Sequence, residues 1–459
     1  MKKLKIIGLI FALFFLTISA DAPQKKIEGP KLHKYRPVNF SDNLHNSLKT
    51  GPQNEAKSFV SGQVLVKFRP SLSRHMRRMA LTAYQSEPIK IIPKLDIYQL
   101  KIPEYTSVEE MVYLMNMNPF IEYAEPNYIA HITTTPNDPL FYLQYALSNT
   151  GQKIGNVPGS PQGKENADIH APSGWEEETG KDSVIIGFID TGLDFDHPEL
   201  QNKYVSRGKD FVNDDDDATD DHGHGTHIAS LAAAETNNGI GIAGVAWNCK
   251  ILPAKAMDAT GSGSYAHIIE AIRWLADNGA HIINLSIGGD ADSSALEDAM
   301  KYAYSLGVVL IAATGNDSSE VLYPAAYDSY CLAVAATDYN DAHASWSNTG
   351  PQVDVAAPGE RILGCVPTWY PAQVWGDFDV DPYAYGYGTS SSSPQVAGLA
   401  ALIKSLKPDL SGRDIMNIIR YSADDVNQDL FPGVDDYIGY GRVNIEKALR
   451  PVRITKIRK

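Results

Sequence analysis

The sequence predicts an α/β domain on a mainly parallel central sheet, preceded by a small α+β unit. Three observations lead there. Val184–Ile189, His281–Leu285 and Gly307–Ala313 are mostly apolar runs, the pattern of strands whose two faces are both covered. His227–Ala234 and Ser393–Ala400 are rich in small apolar residues and read as buried helices. Nearer the N-terminus, Gln63–Phe68 and Tyr98–Ile102 alternate as half-buried strands do. Between them and Ile121–Asn127, a further strand, Ser107–Asn116 sets Val108, Met111, Val112 and Met115 at helical spacing.

The ends of the chain carry different signals. Lys2, Lys3 and Lys5 precede the apolar run Ile6–Ile18, which is followed by Ser19, Ala20 and Ala22. That is the pattern of a secretory signal peptide over residues 1–22, its run shorter than the roughly 20 residues of a membrane span. Residues 23–55 are polar and aperiodic, as in a linker. The α+β unit is expected over 56–132, the large domain over 136–450 and a short basic tail over 451–459. The net charge of −15 gives no footprint for nucleic acid. Cys249, Cys331 and Cys365 allow one disulfide at most, so no cysteine framework holds this fold.

Three short blocks carry the chemistry: Asp190-Thr191-Gly192, His224-Gly225-Thr226-His227 and Gly388-Thr389-Ser390. They supply an acid, a base and a hydroxyl. A serine hydroxyl is inert until an adjacent base takes its proton, and the base needs a third group to fix its tautomer. Each block sits at the end of a predicted strand or the start of a predicted helix, where open α/β sheets gather their ligand sites. Pro394 is expected in the first turn of its helix. His222, His224 and His227 also have the spacing of a zinc cluster, a less well matched reading.

With the order Asp…His…Ser, known from subtilisin, the chain over 136–450 resembles the subtilases, thermitase-like secreted members above all. The resemblance implies a three-layer fold and a serine endopeptidase. In it Asp190 orients the imidazole, His224 is general base and acid, and Ser390 is the nucleophile. Ser390–Ser393 form a run, and alignment on Gly388-Thr389 and Pro394 selects Ser390. Ser391 stands where methionine is common, and Gln395 where histidine is common. Asn316, after the Gly307–Ala313 strand, is the expected oxyanion-hole side chain, with Thr314 replacing the usual small residue. Ser286, Ile287, Gly288 and Gly289 resemble the segment that pairs with substrate backbone. Ala313, Gly315 and Asp317 complete the expected substrate contacts. The small residues of Ser286–Gly289 predict an open first pocket for large apolar side chains, with Asp317 placed to attract basic ones.

The same resemblance implies structural calcium. Asp210, Asn213, Asp215 and Asp217, with the Thr219 carbonyl, crowd one loop before His224, as hard cations require. A second set joins Asp138, Glu199 and Asn238 with carbonyls of Glu235, Ile240 and Ile242; Glu199 stands there in place of the usual aspartate. The α+β unit resembles a propeptide, an inhibitor and folding aid for its own enzyme, so maturation is expected between Tyr128 and Asn137. The expected partners are protein and peptide substrates and this propeptide, with no nucleic acid or membrane bound by a mature monomer. The aromatic-rich stretch 366–388 reads equally as an active-site rim or a self-packed loop. A degenerate scaffold is disfavoured by the intact Asp190, His224, Asn316 and Ser390, and a lipase-type hydrolase by the absence of Gly-x-Ser-x-Gly with a final histidine.

Overall fold

A computed structural model describes residues 59–129, 134–155, 159–369 and 382–450. The signal peptide, linker and tail expected at 1–22, 23–55 and 451–459 lie outside the described residues, as does the middle of the aromatic stretch. The chain divides into two compact units, Met1–His131 and Ile132–Lys459.

The first unit is an antiparallel sheet with two helices. Its elements are β1 (Phe59–Phe68), α1 (Arg74–Ala83), β2 (Glu87–Ile92), β3 (Ile97–Lys101), α2 (Val108–Asn116) and β4 (Ile121–Tyr128). The strand order is β2-β3-β1-β4. Val64, Val66 and Phe68 alternate inward from β1 and pack with Leu100, Met111 and Met115. Both helices start on a serine: Ser73 Oγ accepts the Met76 N–H, and Ser107 Oγ the Glu110 N–H. Each such cap satisfies a donor that the first helical turn leaves open. The elements α1 and β2 are additions to the sequence reading. Helix α1 is masked by its arginines, and β2 is an edge strand whose residues are exposed or half-buried.

The second unit is built on seven parallel strands, ordered β11-β10-β9-β8-β5-β7-β6. They are β5 (Ile185–Asp190), β6 (Lys209–Asp210), β7 (Lys250–Lys255), β8 (Ile282–Leu285), β9 (Val309–Ala313), β10 (Cys331–Thr337) and β11 (Val353–Pro358). Alternate residues of each strand enter opposite cores. Ile186 and Phe188 face α3 (His224–Ala233) and α6 (Thr389–Leu406), through Ile228, Ala232, Val396 and Ala400. Ile189 faces the other layer, α4 (Tyr265–Asp277) and α5 (Ser294–Ser305), through Ile272, Leu275 and Met300. Helices on both faces leave no strand face in water, hence the unbroken apolar runs. This is the three-layer α/β architecture expected, with the small antiparallel unit before it.

Two features shape the carboxyl edge of this sheet. Strand β5 lies between β7 and β8, so the chain turns to opposite sides of the sheet there, and a crevice opens at its carboxyl end. Gly398 lets α6 approach α3, since a Cβ there would lie 3.1 Å from the Ala232 carbonyl and 2.6 Å from Val245. A hairpin, β12 (Ile362–Cys365) with β13 (Tyr383–Gly386), then leads directly into α6. Because β8 is buried in the middle of this sheet, Ile283→Ala should cost about 2–5 kcal/mol. Chemical denaturation checks this through a lowered midpoint at unchanged slope.

Candidate active site

The carboxyl edge of the sheet gathers the three blocks. Asp190 is the last residue of β5 and is 2% exposed. His224 opens α3, and its Nδ1 lies 2.7 Å from Asp190 Oδ1. The ring keeps a quarter of its side chain exposed. Burial alone would lower its pKa, but the charge and hydrogen bond of Asp190, with the charge of Asp220, hold it above the usual value. Asp220, which sequence reasoning missed, organises the surrounding loop. Its carboxylate accepts from Thr191 Oγ1, the His222 and Gly223 N–H groups, and both the N–H and Oγ1 of Thr226. One buried anion thus ties the residue after Asp190 to the first turn of α3.

The four serines of the run differ in burial and bonding. Ser391, Ser392 and Ser393 are buried; Ser392 Oγ donates to the Ala357 carbonyl, and Ser393 Oγ pairs with Ser286 Oγ at 2.8 Å. Only Ser390 of the four keeps partial exposure. Pro394 departs from expectation: α6 begins at Thr389, so the proline lies beyond the first turn. Proline has no N–H to offer the carbonyl four residues back. That carbonyl belongs to Ser390, and it accepts from Ser286 Oγ at 2.9 Å instead. The helix defect becomes a cross-link between the Ser390 backbone and the segment after β8.

Asn316 follows β9 and is exposed. Its Oδ1 accepts the Thr389 N–H at 2.8 Å and Thr389 Oγ1 at 3.0 Å, while Thr389 Oγ1 itself accepts the Gly315 N–H. With Oδ1 so occupied, the amide must point Nδ2 outward. Gly388, at φ 132°, leaves the space where Nδ2 and the hydroxyl meet. A Cβ there would be 2.9 Å from Ser390 Oγ and 3.1 Å from Asn316 Nδ2.

The expected substrate residues lie at and just beyond the carboxyl ends of β8 and β9. Ser286 is buried by its bonds to α6, Ile287 is half-buried and Gly288 exposed. Gly289 exchanges both backbone hydrogen bonds with Tyr323, which anchors the segment's far end. Ala313 closes β9 and Gly315 follows at φ 111°. Asp317 is exposed, its N–H bonded to Asn348. A Cβ on Gly288 would lie 2.9 Å from Leu322 Cδ1, and one on Gly315 2.8 Å from the same atom. The room left by both glycines is bounded by Leu322. Of the aromatic stretch, Tyr383 and Tyr385 are buried, whereas Trp369 and Tyr387 are exposed.

The histidines and acidic sets separate clearly. The His222 and His224 rings stand edge to face with centroids 6.5 Å apart, while His227 Nε2 faces the Ile362 and Ala384 carbonyls. Among the described residues no group of three or more His, Cys, Asp or Glu converges as a metal site, so the zinc cluster reading falls. The Glu199 set depends also on amide and carbonyl oxygens. Asn238 Nδ2 donates to Glu199 Oε2 at 3.0 Å, the Ile242 N–H and Tyr383 hydroxyl donate to Oε1, and Asp138 accepts the Asn237 and Asn238 N–H groups. Burial pushes the Glu199 carboxyl up to about 7 and raises that of Asp138. In the loop set, Asp210 accepts from Val212, Asn213 N–H and Asn213 Nδ2 and forms a backbone bridge to Asp215. Asp217 and Thr219 are instead engaged by Arg207, at 2.9 and 2.8 Å from its Nη2.

Comparison with known proteins identifies the family. The subtilase family model matches residues 181–441, and that of the fervidolysin N-terminal prodomain matches 46–127, beginning inside the expected linker. The chain is 38% identical over 400 residues to the thermophilic serine proteinase of Bacillus sp. (strain AK1), covering 86% of this chain and 89% of that protein. It is 38% identical to thermitase of Thermoactinomyces vulgaris over 69% of this chain and 99% of that one. Fervidolysin from Fervidobacterium pennivorans, a keratinolytic enzyme related to subtilisin, superposes with a TM-score of 0.56 at 25% identity, over 87% of this chain and 62% of that one. The chain therefore belongs to the subtilase family: it is a serine endopeptidase with a fervidolysin-like prodomain.

Proposed function

We propose that this chain is a secreted, self-processing zymogen whose catalytic set is Asp190, His224, Ser390 and Asn316. One observation carries the reading: Asp190 holds His224 at 2.7 Å, while Ser390 Oγ and Asn316 Nδ2 converge on the space that Gly388 leaves. In the reaction, His224 takes the Ser390 proton as the hydroxyl oxygen attacks the substrate carbonyl carbon. Charge moves to the carbonyl oxygen, which the Asn316 Nδ2 and Ser390 N–H groups stabilise; in subtilisin itself one such donor is worth about 10²–10³ in turnover. His224 then gives its proton to the leaving amine, and water repeats the sequence on the acyl-enzyme to release the product acid. Asp190 keeps the imidazole in the tautomer with its proton on Nδ1.

Substrate lies extended along Ser286–Gly288, adding a strand to an open edge. The small residues of Ser286–Gly289 suit an open first pocket for large apolar side chains, and the exposed Asp317 nearby draws basic ones. The prodomain is removed between Tyr128 and Asn137, after a leader of residues 1–22 has directed export.

Calcium fits the Glu199 set best. Glu199 and Asp138 are buried carboxylates, and neither forms an ion pair with lysine or arginine among the described residues. A buried anion without a cation is costly, and a hard ion on Glu199, Asp138, Asn238 and the Glu235, Ile240 and Ile242 carbonyls would remove that cost. The Asp210 loop fits in part: Asp210 is equally buried and without a basic partner among the described residues, with Asn213 and Asp215 beside it, but Asp217 and Thr219 face Arg207. Bound calcium would supply positive charge that holds these loops together.

Ser390→Ala should abolish casein clearance, by about 10⁶-fold as in subtilisin itself, and leave the precursor uncut on gels; a processed, active variant would sink the assignment. Since His224 must be neutral to accept a proton and its pKa is raised, kcat/KM should climb with pH through a midpoint above 6.5; a midpoint below 6 contradicts the pairing with Asp190. Calcium at a hundredfold its Kd should stabilise by about 2.7 kcal/mol, read as a higher Tm than in EDTA. Glu199→Gln should remove most of that difference.

A further inference from the structure

His227, which the catalytic set does not use, occupies an unusual place. It lies three residues after His224 on α3, so the two rings leave the helix as neighbours. It is 1% exposed. Its Nε2 is 3.3 Å from the Ile362 carbonyl on β12 and 3.3 Å from the Ala384 carbonyl on β13, one contact to each strand of the hairpin. Two glycines make the slot. A Cβ on Gly364 would lie 2.7 Å from the ring's Cδ2 and Nε2, and one on Gly386 2.5 Å from its Cε1. Real carbon atoms do not approach so closely, so the slot exists only because both strands omit a side chain there. One turn further, Ser230 Oγ accepts the Cys365 N–H at 2.9 Å, a second bond between the helix and the hairpin. Strand β13 ends at Gly386, and Ser390 lies four residues later.

We propose that His227 is a positioning residue: it keys the helix bearing His224 into the hairpin that delivers Ser390, and so fixes base and nucleophile relative to each other. The chemistry of the ring suits the task. Burial, with the neighbouring His224, pushes its pKa down to about 4, so the imidazole is neutral near pH 7. Two carbonyls facing Nε2 place the single ring proton there, and a shared N–H between two acceptors resists rotation of the ring. Hydrophobic packing alone would hold the helix and hairpin together without fixing direction. Misplacement of a reacting group by about 1 Å can cost on the order of 10²-fold in rate, which is the scale such a key would protect.

The inference rests on the reading of Ser390 and His224 as nucleophile and base, and the two can fail separately. The experiment uses the full chain, secreted and matured, with active sites counted by titration and a chromogenic peptide anilide as substrate. His227→Ala should lower kcat by about 10–100-fold with KM within about twofold. The midpoint of the acid limb should stay within about 0.2 pH of wild type, because the Asp190–His224 pair is untouched. His227→Asn, which restores a short donor, should recover part of the loss. Gly364→Ala, one carbon placed against the ring and remote from Ser390 in sequence, should reproduce the kcat defect; it decides the matter where His227→Ala does not fold. A lowered Tm with kcat per titrated site unchanged in the folded variants overturns the proposal, leaving His227 a packing residue. Activity persisting in Ser390→Ala would instead overturn the catalytic reading beneath it.

Discussion

A carboxylate and an imidazole have to stand at hydrogen-bond distance on the rim of a sheet whose two faces are both buried. Most of what surrounds them is arranged by that requirement. The 2.7 Å contact between Asp190 and His224 joins the end of the central strand to the first residue of a helix from one covering layer. Neither end can drift without moving a core. An exposed ion pair of this kind contributes about 1 kcal/mol or less; here the carboxylate is buried while its partner stays a quarter exposed. The loop between them is drawn in by the Asp220 carboxylate, and the sheet fixes the strand. The pair is therefore held by the fold more than it holds the fold.

Ser390 is held by a different device, the controlled use of missing groups. Pro394 lacks an N–H, which leaves the Ser390 carbonyl to Ser286 Oγ. Gly388 lacks a side chain, which leaves the hydroxyl and the Asn316 amide one common space. Thr389 supplies the complementary presence, filling Asn316 Oδ1 so that Nδ2 is the face turned outward. Each feature has a cost in ordinary terms: a proline inside a helix loses a hydrogen bond, and a glycine at positive φ has more unfolded freedom to give up. Local departures from good helix chemistry concentrate where the serine needs to be exact in place, and the long apolar remainder of α6 offsets them.

Much of this was legible in the chain, and the reasons for success and failure are physical. Continuous apolar runs announced β5, β8 and β9 because covered parallel strands have no solvent face to mark. The placement of the three blocks and Asn316 at strand or helix boundaries was legible because each carries its own glycine or threonine signature. Helix α1 was not, since its arginines hide a narrow apolar stripe, and β2 was not, since an edge strand needs no buried face. Asp220 escaped notice because a carboxylate accepting backbone N–H groups leaves no periodic trace. Leu322 is a further case: nothing in sequence announces that it packs against both Gly288 and Gly315. Pairings between loops are set by tertiary distance, and spacing along the chain does not encode them.

The β12–β13 hairpin joins these parts into one mechanical unit. On one side His227 meets its carbonyls; on another the Tyr383 hydroxyl reaches Glu199 Oε1 at 3.1 Å. The strand that ends four residues before Ser390 is therefore gripped both by α3 and by the buried Glu199 carboxylate. These grips are polar and directional, whereas the surrounding core is apolar and indifferent to small slides. A core packed at high density resists separation of its elements, but specifying the position of one hydroxyl to a fraction of an ångström requires bonds that have an angle as well as a distance. A cation on Glu199 would therefore act on Ser390 through Tyr383 and β13 by ordering the hairpin, with no contact to the reacting atoms.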